Sequence, residues 1–97
     1  DTHWADQMSL MQVSIAGFIQ MVSTLKQLAG ELSQGRIVFT LEGGYHLQAL
    51  AYSIKATFDV LLGNPEGSDP LGPAPMGKRS PQIDAIIAAV KERHRLA

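Results

Sequence analysis

The sequence predicts an α/β fold, a fragment of a parallel sheet with flanking helices in the order helix, strand, helix, helix. Two long stretches carry apolar residues at intervals of three and four, the period of a helix with one buried face. A short, continuous apolar run lies between them, as in a strand covered on both faces. A shorter helical pattern closes the chain, so most of this fragment is predicted to be helical.

The first helix is predicted at residues 14–34. Ser14 is a favourable N-cap, and Gly35 stands where a glycine commonly ends a helix. Residues 1–12 before it show no clean period and are predicted to be a loop. The spacing predicts one buried face on the helix, made of Ile15, Phe18, Ile19, Val22, Leu25, Leu28, Ala29 and Leu32.

The strand is predicted at residues 36–41, which read Arg-Ile-Val-Phe-Thr-Leu. A buried parallel strand needs a neighbour on each side to satisfy its N–H and C=O groups. The sequence offers no second strand. We therefore interpret residues 1–97 as one partial domain that is incomplete or that assembles with other chains.

The second helix is predicted at residues 46–62 and ends at Gly63, Asn64 and Pro65. Residues 63–80 are rich in Pro and Gly and predict a surface loop. Ser80 and Pro81 then open a third helix as N-cap and first-turn proline. The second helix has the apolar stripe Leu47, Leu50, Ala51, Ile54, Phe58 and Leu61, and the third is expected to face the core with Ile83, Ile86, Ile87 and Val90.

Composition bounds the function. Hydrophobic residues make up 45% and charged residues 18% of the 97 positions, an ordinary globular balance for one small domain. The formal charge of −1 gives no electrostatic footprint for nucleic acid or an anionic membrane. The absence of cysteine excludes disulfides and thiolate zinc sites and fits a cytoplasmic location. No apolar run reaches the roughly 20 residues of a membrane span.

Two motifs carry the chemistry. Residues 1–6 read Asp-x-His-x-x-Asp, and residues 42–45, between the strand and the second helix, read Glu-Gly-Gly-Tyr. In this order and spacing they resemble the closing part of the active site in the histone deacetylase and acetylpolyamine amidohydrolase superfamily, whose sheet is like that of arginase. Residues 69–73, Asp-Pro-Leu-Gly-Pro, resemble the tail of bacterial members. The resemblance covers the last third, or less, of a family domain.

The resemblance implies zinc-dependent hydrolysis of an acetyl-lysine or acetylpolyamine amide. It implies that Tyr45 stabilises the transition state, that Gly43 and Gly44 form the turn of the substrate loop, and that Asp1 is a zinc ligand in an intact parent domain. The family's other ligands and its catalytic histidines lie upstream, so we expect this fragment to bind no zinc and to be inactive alone. His3 is not a ligand in the family, and Asp6 is interpreted as a loop anchor through backbone N–H groups.

Three alternatives to the deacetylase interpretation remain open. Tyr45 is also compatible with a buried tyrosine whose hydroxyl is hydrogen-bonded. Gly43 and Gly44 before a helix also suit phosphate binding, although the third glycine or the lysine of such motifs is missing. The chain also suits a non-catalytic small domain that folds by homo-oligomerisation through its unpaired strand. The acyl substrate is not readable from these residues.

Overall fold

In a computed structural model, the described residues form three helices. The structure describes residues 1–75 and 81–96. The helices are α1 (Ile15–Ser33), α2 (Leu47–Leu61) and α3 (Pro81–His94). None of these helices is both long and apolar enough to cross a membrane.

Helix α1 begins where its N-cap predicts. The Ser14 hydroxyl accepts a hydrogen bond from the Gly17 N–H at 3.2 Å. A second cap comes from far along the chain, because the Asp69 carboxylate accepts from the Ala16 N–H at 3.1 Å. The first turn of α1 contains no acidic residue of its own. Asp69 therefore supplies the negative charge that a helix N-terminus favours.

Helix α2 also matches its predicted position to within one residue at each end. Its N-cap is His46, whose Nδ1 accepts from the Ala49 N–H at 3.1 Å. Gly63 ends it with φ of 92°, donating its N–H to the Val60 carbonyl. Lys26 of α1 donates to the same carbonyl at 2.9 Å. This cross-helix contact puts a cation at the C-terminus of α2, which has no basic residue in its own last turn.

The contact between α1 and α2 differs from the predicted one. The buried face of α2 consists mainly of small side chains, and the predicted stripe of large apolar residues lies elsewhere. Small residues let two helix backbones approach closely, whereas large ones fill the space beside the pair. The prediction for α1 is right only in part, since Leu25, Leu28 and Leu32 are exposed. The buried residues are Ile15, Val22 and Ala29 of α1 and Ala49, Ser53, Ala56 and Val60 of α2.

The strand predicted at residues 36–41 is not formed within the described part of the chain. Residues 36–45 run from α1 to α2 without a helix or a strand. An isolated parallel bridge joins His3 to Val13. A strand exists only through hydrogen bonds to a neighbour, and no described segment lies in place to supply them. The parallel sheet therefore remains a prediction, and the helices are the part of the α/β class that is seen.

Helix α3 forms as predicted from Pro81, but its packing is not as predicted. Ile83, Ile86, Ile87 and Val90 are exposed rather than buried. Among the described residues α3 packs against neither α1 nor α2, so its apolar side has no core to join. Ser80, its predicted N-cap, lies outside the described residues. Of the loop predicted at 63–80, residues 63–75 have turns and no helix or strand.

Candidate functional site

The loop of residues 1–13 is held in place at both of its ends. The Trp4 N–H donates to the Val13 carbonyl at 2.9 Å, and the Val13 N–H donates to the Thr2 carbonyl at 3.1 Å. The Trp4 indole donates to the Gly72 carbonyl at 3.0 Å, 68 residues away. The loop thus has a defined shape although it lacks regular secondary structure.

This loop carries Asp1 to the glycine corner, the turn formed by residues 42–45 before α2. Gly43 has φ of 70°, a conformation that L side chains rarely adopt. A Cβ added there would lie 2.8 Å from Cγ of Asp1 and about as close to both carboxylate oxygens. The two segments that the resemblance singles out, 1–6 and 42–45, are therefore in direct contact at Asp1 and Gly43.

A second contact joins the same two segments through Asp6. Its Oδ2 accepts hydrogen bonds from the N–H of Tyr45 at 2.7 Å and from the N–H of His46 at 2.8 Å. Its Oδ1 accepts from the Met8 N–H at 3.0 Å. Asp6 was expected to anchor its own loop, and it does so through Met8. The same carboxylate also fixes the backbone of the glycine corner, about forty residues away.

The charge of Asp6 is stabilised by these bonds. The side chain is 3% exposed. The His46 N–H lowers the pKa of this carboxyl most, followed by the Met8 N–H, and burial opposes them in part. The net pKa is below the usual range, so Asp6 is ionised at neutral pH.

This charge also bears on the phosphate alternative for the two glycines. An ionised carboxylate already occupies the N–H groups of Tyr45 and His46 at the start of α2. A phosphate approaching these groups would meet a negative charge of the same sign. The geometry therefore disfavours an anion cradle at the glycine corner.

The side chain of Tyr45 leaves the corner toward solvent. It is 64% exposed, which excludes the alternative of a buried tyrosine. Its backbone is held while its phenol is accessible, as a hydrogen-bond donor to a bound substrate requires. Gly44 contributes close packing, because a Cβ added there would lie 2.8 Å from the Leu50 side chain.

His3 is the other buried polar residue of the loop. Its Nδ1 accepts from the Ala5 N–H at 3.0 Å, which leaves the proton of the neutral ring on Nε2. Nε2 is buried and has no hydrogen-bond partner among the described residues. Burial lowers the pKa of His3, so the ring is neutral at pH 7.

An apolar groove of about 450 Å³ opens beside the corner. Asp1, His3 and Gly44 are among the residues that line it. The large apolar residues that the α1–α2 contact leaves out line its length. They include Phe18 and Leu25 of α1, Leu50, Ile54 and Phe58 of α2, and Phe39 of the connecting segment.

Zinc binding depends on which donor side chains the chain places together. The Asp1 carboxylate is a suitable oxygen ligand and lies beside Gly43 of the glycine corner. A catalytic zinc site takes three protein ligands and an open position. Within residues 1–75 and 81–96, no three His, Asp or Glu side chains lie together in a way that could hold a metal. Asp1 thus fits the role of one ligand and does not form a site by itself.

Sequence reasoning missed the contacts that bring distant residues together. The links from Asp6 to Tyr45 and His46 and from Asp69 to Ala16 are not visible in any local pattern. One signal was available for α2, where small residues recur at positions 49, 53 and 56 along one face. That spacing identifies the face that packs against α1.

Comparison with curated proteins finds relatives among deacetylases. Histone deacetylase 10, chloroplastic, of Oryza sativa subsp. japonica is 38% identical over 65 residues, which are 67% of this chain and 15% of the rice protein. Histone deacetylase 14, chloroplastic, of Arabidopsis thaliana is 40% identical over 63 residues, 65% of this chain and 15% of that protein. Polyamine deacetylase HDAC10 of Homo sapiens is 37% identical over 89 residues, 92% of this chain and 12% of that protein.

The chain thus spans 12–15% of the length of these relatives. No solved structure matches it significantly. The family model described as "Histone deacetylase domain" matches residues 1–61, which include the loop of Asp1 and Asp6, both helices of the packed pair and the glycine corner. With more than half of its length matched by that model, this chain belongs to the histone deacetylase family.

Proposed function

We propose that this chain is the C-terminal portion of a zinc-dependent deacetylase domain that hydrolyses an acetyl-lysine or acetylpolyamine amide. One observation carries the proposal: Asp1 and the glycine corner are in contact, and Tyr45 projects from that corner into solvent. The relatives, which are named histone deacetylases and a polyamine deacetylase, support the same reaction class.

Tyr45 supplies the hydrogen-bond donor in this proposal. As water attacks an amide, negative charge builds on the carbonyl oxygen, and a phenol held at the right place stabilises it. Gly43 and Gly44 let the backbone turn sharply before α2, which places Gly43 against Asp1, two residues before Tyr45. The exposed phenol is compatible with a substrate that arrives from solvent.

Asp1 serves as one zinc ligand in an intact parent domain. Zinc, when bound, polarises the substrate carbonyl and lowers the pKa of a bound water. Because one carboxylate cannot hold a catalytic zinc, we expect the 97-residue chain alone to show no zinc-dependent turnover. The remaining ligands and the general base would come from the preceding part of a deacetylase domain.

The test is a chimera in which this chain replaces the segment of the human polyamine deacetylase that it matches. We expect turnover of an acetyl-lysine peptide or an acetylpolyamine. Tyr45→Phe removes one oxyanion donor and should lower kcat by about 10²–10³-fold with little change in KM. Tyr52→Phe, at the other tyrosine of the chain, is the matched control and should keep full activity. An unaltered kcat in Tyr45→Phe would contradict the proposed role.

A second candidate is a non-catalytic small domain that folds by homo-oligomerisation. The large apolar side chains that line the groove, such as Phe39 and Phe58, favour it because they are exposed in the single chain. Residues 36–41 have no strand partner among the described residues, so they are available to pair with another copy. This candidate describes the isolated polypeptide and is compatible with a deacetylase ancestry. A cytoplasmic location and a bacterial source remain predictions from the sequence.

A further inference from the structure

The carboxylate of Asp6 is the point where the loop of residues 1–13 meets the backbone of the glycine corner. Oδ2 accepts from the N–H of Tyr45 in the corner at 2.7 Å and from the N–H of the adjacent His46 at 2.8 Å, and Oδ1 accepts from the Met8 N–H of the loop. Both oxygens are therefore used, one by each segment. Hydrogen bonds to a charged acceptor are stronger than those between neutral groups.

The surroundings of Asp6 indicate that replacing this residue would disturb the backbone of the glycine corner. The residue is 3% exposed, and the described part of the chain shows no ion pair to it. Its charge is stabilised chiefly by backbone N–H groups. Removing the carboxylate would leave the part-buried N–H groups of Tyr45 and His46 without their acceptor in the chain.

The geometry connects Asp6 to the two residues assigned roles in the proposed reaction. The Asp6 N–H donates to the His3 carbonyl at 2.9 Å, which fixes the turn that follows Asp1. The Asp6 side chain fixes the backbone of Tyr45. A displacement of about 1 Å at a catalytic group can lower the rate by roughly a hundredfold.

We propose that Asp6 is a positioning residue of the deacetylase reaction, which sets the Tyr45 phenol relative to Asp1 by joining the two segments. It touches no reacting atom and acts through the backbone of Tyr45. The inference rests on the proposed function for its catalytic consequence, whereas its structural part can be measured on the chain itself.

Asp69 provides a matched control for Asp6. Its carboxylate likewise accepts three backbone N–H bonds, from Ala16, Leu71 and Gly72, at 2.8–3.1 Å. It joins the 63–75 loop to α1, and none of its three bonds comes from the glycine corner. Asp69→Asn therefore removes the same kind of anchor while leaving the bonds of Asp6 to Tyr45 and His46 in place.

The structural test uses the full 97-residue chain labelled with 3-fluorotyrosine, because its two tyrosines give two fluorine signals. In Asp6→Asn and Asp6→Ala we expect the Tyr45 signal to shift or broaden while the Tyr52 signal stays in place. Protection of the Tyr45 and His46 amides from hydrogen exchange should fall by roughly 10- to 100-fold. Asp69→Asn should change neither readout at the corner, even where it lowers the melting temperature.

The kinetic test places the same substitutions in the active chimera with the human polyamine deacetylase. Asp6→Asn should lower kcat by about tenfold or more with KM nearly unchanged, and Asp69→Asn should leave kcat unchanged. The proposal is overturned if the Tyr45 signal and amides respond equally to both substitutions, or if kcat is insensitive to Asp6. An inactive unmutated chimera contradicts the proposed function instead, and the fluorine and exchange data still decide whether Asp6 holds the corner.

Discussion

Two requirements, one of backbone conformation and one of space, favour glycine at the position of Gly43. Its φ of 70° is rarely adopted by other residues, and the Asp1 carboxylate lies within 2.8–3.1 Å of where a Cβ would be. The backbone requirement alone could have been expected from a Gly-Gly pair at a turn. The steric requirement arises only from the approach of Asp1, 42 positions earlier in the chain.

A comparison of Gly43→Ala with Gly35→Ala separates these two requirements. Gly35 has a similar φ of 78° with nothing within 4 Å of an added Cβ. We expect Gly35→Ala to lower the free energy of unfolding by about 1–2 kcal/mol through backbone strain alone. Gly43→Ala should lower it further, because the Asp1 side chain must also move. Urea denaturation measures both, and equal losses would show that Asp1 adds no constraint at Gly43.

The lowered pKa of Asp6 predicts a pH dependence whose sign follows from linkage. The unfolded carboxyl has the ordinary value of 3.8, and the folded one titrates at a lower pH. Its contribution is therefore fully present above the unfolded pKa and is lost as the pH falls through the folded pKa. In urea titrations at pH 7, 5, 4 and 3, the stability difference between the unmutated chain and Asp6→Asn should be constant down to pH 5 and then shrink. A difference that grows on acidification would contradict the lowered pKa.

The ends of the helices are capped both by neighbouring residues and by residues far away along the chain. Ser14 caps α1 from the adjacent position, as its sequence indicates, and Asp69 caps the same turn from 53 residues away. Lys26 of α1 serves the C-terminal end of α2 in a similar manner. Unpaired N–H and C=O groups at helix ends need partners, and the fold supplies the ones that the local sequence lacks.

Ser14→Ala tests the local cap. Loss of the bond to the Gly17 N–H should lower the free energy of unfolding by about 1 kcal/mol. In a chain of this size that corresponds to a decrease in Tm of roughly 4–8 °C in a thermal melt. Ser23→Ala, within α1, is the control and should be neutral or slightly stabilising, because alanine has the higher helix propensity. Equal Tm values for the two variants would mean that Asp69 alone caps α1.

In the molecule as a whole, the groove contains large apolar side chains that the described residues leave uncovered. The buried face of α2 consists mainly of small side chains, and large apolar residues of both helices line the groove. Burying an exposed apolar side chain of this size contributes about 1.5–3 kcal/mol. Such a surface favours covering by the rest of a deacetylase domain or, for the chain alone, by a second copy.

We predict that the isolated chain self-associates through this groove. Phe58→Lys places a charge on the groove wall and should shift the species seen by size-exclusion with light scattering toward the monomer. Leu32→Lys is the control, since Leu32 is 82% exposed and does not line the groove. If the unmutated chain is a monomer, or if both substitutions have an equal effect, the prediction that the groove is the interface is wrong.

The helices, the glycine corner and the family follow from local patterns in the sequence. Ser14, Gly35 and Gly63 mark ends of α1 and α2 through hydrogen bonds and backbone conformations that involve neighbouring residues. The motifs at 1–6 and 42–45 point to the deacetylases for the same reason, since each is a short local pattern.

Which helix faces are covered, and which distant groups come into contact, depends on the tertiary structure. Periodicity identified apolar stripes on α2 and α3, but it did not say that α2 would pack through Ala49, Ser53 and Ala56 or that α3 would leave its stripe exposed. The bonds of Asp6 to the N–H groups of Tyr45 and His46 likewise depend on how the chain closes over about forty residues. Short-range hydrogen bonding sets the elements, whereas the pairing of their faces depends on every surface that competes for them.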